Sequence, residues 1–153
     1  MDQLQDKDKN MQGIFQEWTS TLDTHTLTQF LESIIINAKL WMMFLDTDKN
    51  VVIWNRAAQE ITGDTSDEVL GHNTIWKWIY PDPSYRRQVT RKIIENIKNK
   101  KTLENFETSI HTKNHEKKRI SWNTRELVGQ DKKVSGSLSL ETISPGLQKQ
   151  KAR

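Results

Sequence analysis

A chain of 153 residues with a formal charge of +3 has room for one buried core and little beyond it. It contains no cysteine, which excludes disulfides, zinc-thiolate sites, thiol redox and cysteinyl-flavin adducts. No apolar run approaches the roughly 20 residues of a membrane span, and residues 1–20 lack a signal peptide's apolar centre, so a cytoplasmic protein is expected. Residues 1–10 are almost wholly polar and are expected to be disordered. From Met11 the pattern turns helical, with Ile14, Phe15, Trp18 and Leu22 at spacings of three and four; residues 1–23 thus form a polar segment with a short helix. Asp23 and Thr24 can cap a second helix, a flanking amphipathic segment over 24–38 whose stripe is Leu27, Phe30, Leu31, Ile34 and Ile35. That stripe must be covered. A second copy of the chain, contacted by Leu27, Phe30, Leu31 and Ile34, would cover it, and so would the monomer's own core.

Two apolar runs of strand length come next, Leu40 to Leu45 and Val51 to Trp54, separated by a turn of Asp46, Asp48, Lys49 and Asn50. Asn55, Ala57 and Ala58 open a short helical run closed by Gly63 and Gly71. The segment Pro83 to Lys100 repeats Val89, Ile93 and Ile97 every four residues with Ile94 beside them, which predicts a long helix with one apolar face. Three strands with period-two alternation complete the chain. Phe106, Thr108 and Ile110 share a face of the first, and Ile120, Trp122 and Thr124 share a face of the second. In the third, Val134, Gly136, Leu138 and Leu140 are read as the inner face, opposite Ser135, Ser137 and Ser139. Two strands, short helices, a long helix and a three-strand meander make an α+β domain with a five-stranded antiparallel sheet.

The order of strand, Asp46 turn, strand, Asn55, Ala57, Gly63 and Gly71 resembles the opening of a PAS domain, the small sensory module of signalling proteins. The likeness continues through Trp76 to Pro81 and Asp82, through Phe106-Glu107, and through the strand Ile120 to Asn123, so that residues 39–144 are the PAS domain and 145–153 a basic tail. Lys49 and His115 stand where glycines are common in the family. Leu140 to Ser144 replaces an Asp-Ile-Thr signature that, in the family, helps couple the sensor to its effector. The resemblance implies the PAS fold with strand order 2-1-5-4-3, helices on one face of the sheet and an N-terminal flanking helix. It also implies a signal transduction role, with a sensor histidine kinase of a two-component system as the commonest parent and its kinase core as the downstream partner. A homodimer and a small-molecule ligand are the expected partners.

Period two in the strands and period four in the long helix place the cavity-lining residues at Met42, Phe44, Ile53, Ile79, Val89, Ile93, Phe106, Ile120, Trp122 and Leu138. Its occupant is left unknown. Haem held by a long-helix histidine is argued against, since none lies between Pro83 and Lys100, and the covalent flavin adduct needs a cysteine. A non-covalent flavin, with Trp76, Trp78 or Trp122 as walls, or a small apolar ligand stays open. His111 and His115 flank a hairpin turn, which favours turn chemistry over a metal site, and His72 is read as a surface or capping residue. No nucleophile with a base and no phosphate-cradling loop is present, so the chain is read as non-enzymatic. Its basic residues are spread over helix, turns and tail rather than gathered in a stripe, which speaks against nucleic acid. The competing reading is a ligand-free dimerisation module of a signalling or transcription regulator.

Overall fold

The computed structural model describes residues 2–100 and 102–142, so Ile143, Ser144 and the basic tail lie outside the described residues. The chain divides into two compact units between Asn37 and Ala38. In the first, α1 (Asp2–Ser20) starts well before Met11 and takes in the segment expected to be disordered. Gln3, Gln5, Lys7 and Lys9 are good helix formers, and no glycine or proline precedes Gly13. The helix α2 (Thr24–Asn37) is capped as the sequence suggests, with the Thr26 N–H donating to Asp23 Oδ1 at 2.7 Å. Those backbone and side-chain bonds to Thr26 hold the Asp23 carboxyl below its ordinary pKa. Phe30 turns toward α1, where its ring meets Trp18 edge-on at 5.1 Å and lies 6.3 Å from Phe15.

The second unit begins with a hairpin of β1 (Met42–Leu45) and β2 (Val51–Trp54). Asp46 organises its turn: Oδ1 accepts from the N–H groups of Asp48 and Asn50, both at 2.9 Å. Lys49, at the glycine-favouring position, adopts φ 67°. Asn55 then ties three segments together. Its Oδ1 caps α3 (Arg56–Thr62) by accepting from the Ala58 N–H and also accepts from the Met42 N–H, while its Nδ2 donates to the Leu40 carbonyl. Gly63 ends α3 in the left-handed conformation at φ 82°, and α4 (Ser66–Val69) comes after it, capped by Thr65. Beyond α5 (Ile75–Ile79) lies α6 (Pro83–Lys100), whose start is fixed by Pro83 and by Asp82, whose Oδ1 accepts from the Ser84 N–H.

The strands β3 (Thr102–His111), β4 (Lys117–Val128) and β5 (Val134–Thr142) complete one antiparallel sheet in the order β2-β1-β5-β4-β3. His115 sits in the β3–β4 turn at φ 64°. At Gly136 an added Cβ would overlap the Leu45 carbonyl oxygen and stand 2.6 Å from the Phe44 ring, so β1 and β5 come together closely only because this residue has no side chain.

The core is densest around Trp41, which is fully buried and meets Trp54 at 4.9 Å and Trp122 at 4.6 Å, both edge-on. Ile75, Ile79, Ile110 and Ile120 pack in the same cluster, with Phe106 against it. Trp41 Nε1 has no hydrogen-bond partner among the described residues.

The sheet faces correct the sequence reading. Met43 pairs with Ser139 and Leu45 with Ser137, and all four are buried on the inner face. Met42, Phe44, Ile53 and Leu138 therefore sit on the opposite face, half-buried, where Phe44 pairs with both Ile53 and Leu138. Leu140, paired with Met42, joins them.

Candidate ligand cavity

A cavity of about 150 Å³ lies between α6 and the inner face of β1, β4 and β5. Its apolar walls come from Met43 and Leu45 on β1, from Trp76 and from Val89, Ile93 and Ile97 on α6. The four-residue spacing on α6 aims those three at the sheet, as amphipathicity requires. Trp122 on β4 lines it as well. Its indole N–H donates to Thr108 Oγ1 at 2.9 Å, and the same hydroxyl is bonded to the Tyr80 hydroxyl at 2.8 Å. Burial pushes the Tyr80 phenol up to about 12, against smaller downward effects of its bonds to Thr108 and Trp122.

The floor is polar. Thr124, Ser137 and Ser139 line it, and the hydroxyls of Thr124 and Ser139 bond each other at 2.8 Å. Two cations, Lys49 and Arg86, complete the lining. Arg86 is half-buried and donates through Nη1 to the Tyr80 carbonyl at 2.7 Å, which draws α6 to the end of α5.

Of the ten residues expected to line this cavity, Val89, Ile93 and Trp122 do so. Ile79 and Ile120 are buried in the core cluster and Phe106 packs against it. Met42, Phe44, Ile53 and Leu138 are on the outer face and contribute nothing to it. Met43 and Leu45 on β1 and Ser137 and Ser139 on β5 are the faces that period two assigned inversely, and an apolar pattern cannot select the charged Lys49 and Arg86. The signal for the serines was present in the alternation of Ser135, Ser137 and Ser139.

Trp76 lines the cavity, whereas Trp78 is exposed and lies beside the His72 ring at 6.3 Å. His72 Nδ1 accepts from the Thr74 N–H at 3.3 Å, at the start of α5. Among the described residues, no cluster of three or more His, Asp or Glu is arranged to hold a metal ion, and no helix is long and apolar enough to cross a membrane. In the N-terminal unit no residue of α2 is buried; Leu31 and Ile34 are 45% and 44% exposed, and Leu27 and Phe30 are half-buried.

A five-stranded sheet of this order, with helices enclosing a cavity against one face, defines a class of sensory α+β domains. The family model described as "PAS fold" matches residues 29–140, and the chain belongs to the PAS family. Several solved structures share the fold. The PAS domain of a Colwellia psychrerythraea protein is 12% identical with a TM-score of 0.68, and the match covers 78% of this chain and 98% of that one. A domain of a sensory box sensor histidine kinase/response regulator from Geobacter sulfurreducens is 15% identical with a TM-score of 0.61, covering 80% of this chain and 99% of that one. The light-state dimer of the fungal blue-light photoreceptor Vivid is 16% identical with a TM-score of 0.56, covering 71% and 80%. At such identities the likeness is one of fold. No curated protein matches the sequence significantly.

Proposed function

We propose that this PAS sensory domain is the cytoplasmic input module of a two-component sensor histidine kinase, that it binds a small ligand in the cavity under α6, and that it signals as a homodimer. The observation that carries the ligand reading is the cavity itself, about 150 Å³ of space where a domain of this size would otherwise pack side chains to crystal-like density. An apolar cavity of that order holds a benzene-sized molecule. It is smaller than the roughly 300 Å³ at which drug-sized pockets begin, which disfavours a three-ring flavin. The domain itself is regulatory, and any catalysis belongs to the effector. The fold shared with a domain of a sensor histidine kinase/response regulator supports that choice of effector.

The mechanism is a population shift. A ligand that favours one packing of α6 against the sheet biases the domain toward it, by no more than its differential affinity for the two packings. Thermal melts against a library of benzene-sized compounds test the reading. At least one compound is expected to raise the melting temperature in proportion to the logarithm of its concentration. Failure of every compound, together with a cavity that solvent and xenon do not enter, would leave only the dimerisation module.

The homodimer rests on a separate observation, the partly exposed apolar stripe of α2 at Leu31 and Ile34. The light-state dimer of Vivid lends it a precedent on the same fold. In light scattering, the wild type is expected at twice the monomer mass, and the double change Leu31→Asp with Ile34→Asp at the monomer mass. A monomeric wild type would remove the dimer from the scheme.

A further inference from the structure

The mouth of the cavity carries a charge pattern that its apolar walls do not explain. Arg86 and Lys49 line the cavity, and among the described residues no Asp or Glu does. Along α6, Trp76, Arg86, Thr90 and Ile94 continue into a surface groove that adds Arg87 and Arg91, with Glu95 its one carboxylate among the described residues. The ion pairs among the described residues join Lys113 to Glu68, Lys118 to Glu116 and Arg119 to Glu107, so none neutralises these four cations. Arg86 is half-buried, and among the described residues its one hydrogen bond, from Nη1, goes to a neutral carbonyl. A guanidinium has five N–H donors in a planar fork. Several of them are left to meet something that enters from outside.

We propose that the ligand is a small organic monocarboxylate: a benzene-sized apolar or aromatic body seated among Met43, Leu45, Val89, Ile93 and Trp122, with its carboxylate at the mouth against Arg86. The inference rests on the ligand-cavity reading above and adds to it a chemical class and an orientation. The volume of about 150 Å³ sets the size of the body. The lining sets its polarity, since contact with Val89, Ile93 and Trp122 rewards burial of carbon. The head is a carboxylate because a planar two-oxygen anion matches the guanidinium fork bidentately. Lys49, in the β1–β2 turn at φ 67°, also lines the cavity and is the second cation we assign to that head. Arg87 and Arg91 surround the approach with positive potential, which raises the local concentration of anions and their rate of entry. The Arg86 bond to the Tyr80 carbonyl then gives the head a mechanical consequence, because recruiting the guanidinium to a carboxylate bears on the contact that joins the end of α5 to α6.

Calorimetric titration of the full chain with benzoate, its neutral isostere benzamide, acetate and inorganic phosphate tests the inference. Benzoate is expected to bind at least tenfold tighter than each of the other three, with an affinity that weakens as salt is raised. Loss of the charged hydrogen bonds in Arg86→Gln should weaken benzoate about 10- to 100-fold and leave benzamide unchanged. Lys49→Asn, which suits the positive φ of that turn, should give a smaller loss in the same direction and guards against a misfolded Arg86 variant. Benzamide binding as tightly as benzoate would overturn the carboxylate while leaving the ligand cavity standing. Acetate or phosphate binding as well as benzoate would overturn it differently, by showing a head site that does not use the cavity. If neither benzoate nor benzamide binds, the inference falls, and the ligand-cavity reading falls with it only if no compound of the library raises the melting temperature either.

Discussion

The inner face of β5 carries Ser137 and Ser139, and its outer face carries Leu138 and Leu140. The inner side of the sheet divides again. At the Trp41 end it is solid, with three tryptophans in contact, whereas at the α6 end hydroxyls and a void replace packed carbon. Outside, Met42, Phe44, Ile53, Leu138 and Leu140 form an apolar stripe across β2, β1 and β5, which gives way to Ser121, Asn123 and Arg125 on β4. Polarity therefore does not tell inside from outside in this sheet. An inner hydroxyl is tolerable when it has a partner, as Thr124 and Ser139 provide for each other. An outer leucine is tolerable when something covers part of it, and these are half-buried. What separates the two ends of the inner face is whether the space beside them is filled.

The largest expected effect is at the boundary between the solid and the open inner regions. Trp122→Ala removes an edge-on contact with Trp41 and a hydrogen bond to Thr108, and should cost about 3–5 kcal/mol by denaturant titration. A cost under about 1 kcal/mol would mean that the open region already reaches the tryptophan cluster. Next comes Tyr80. Its phenol binds a proton up to about pH 12 in the folded state, against an ordinary value near 10 when unfolded, so between these values the unfolded chain carries fewer protons and stability falls as pH rises. The contribution is complete below pH ~10 and about 2–3 kcal/mol is lost by pH ~12. Tyr80→Phe should flatten that part of the stability–pH curve, and an unchanged slope would place the alkaline transition on other groups.

Smaller effects separate the two faces of β5 directly. Leu138→Ser should destabilise by about 1–2 kcal/mol if the outer face is covered, since only part of the side chain is buried. A change below about 0.5 kcal/mol would show an ordinary surface position. Ser137→Val is expected to do the reverse, adding carbon to the void and stabilising by roughly 0.5–1 kcal/mol while competing with any cavity ligand. Destabilisation by Ser137→Val would indicate that its hydroxyl has a necessary partner in ordered water.

Much of this arrangement was legible in the sequence, because turns and caps depend on local residue chemistry. Asp46 and Asn50 mark the first turn, Asn55 the cap of α3, Gly63 its end, and Asp82-Pro83 the start of α6; each does in the structure what its type suggests. The order of the strands came from the PAS resemblance. Face assignment was not legible in β1. Met42 to Leu45 is apolar without a break, so period two leaves no trace, and the register shift between Phe44 and Leu45 hides the phase of β2 as well. In β5 the alternation was plain but its sense was inverted, because the rule that apolar residues face inward assumes a filled interior. The shift between Leu103 and Phe106, where Asn105 takes φ 51°, likewise leaves no local signature that the sequence reading detected. The early start of α1 was missed because polarity was read as disorder, when Gln and Lys serve a helix as well as a coil.

The contact of Trp41 with both Trp54 and Trp122 has an optical consequence. Indoles with ring centroids 4.6 to 4.9 Å apart and crossed at 75° couple through their strong far-ultraviolet transition, so the far-ultraviolet circular dichroism of this domain should carry a signed band pair from one cluster. Trp122 belongs both to that cluster and to the cavity wall, whereas Trp18 and Trp78 are exposed and respond to solvent. An occupant pressing on Trp122 would alter the coupled bands and leave the exposed indoles' emission alone. The domain thus contains its own unlabelled gauge of cavity filling, readable in the same cuvette as its unfolding.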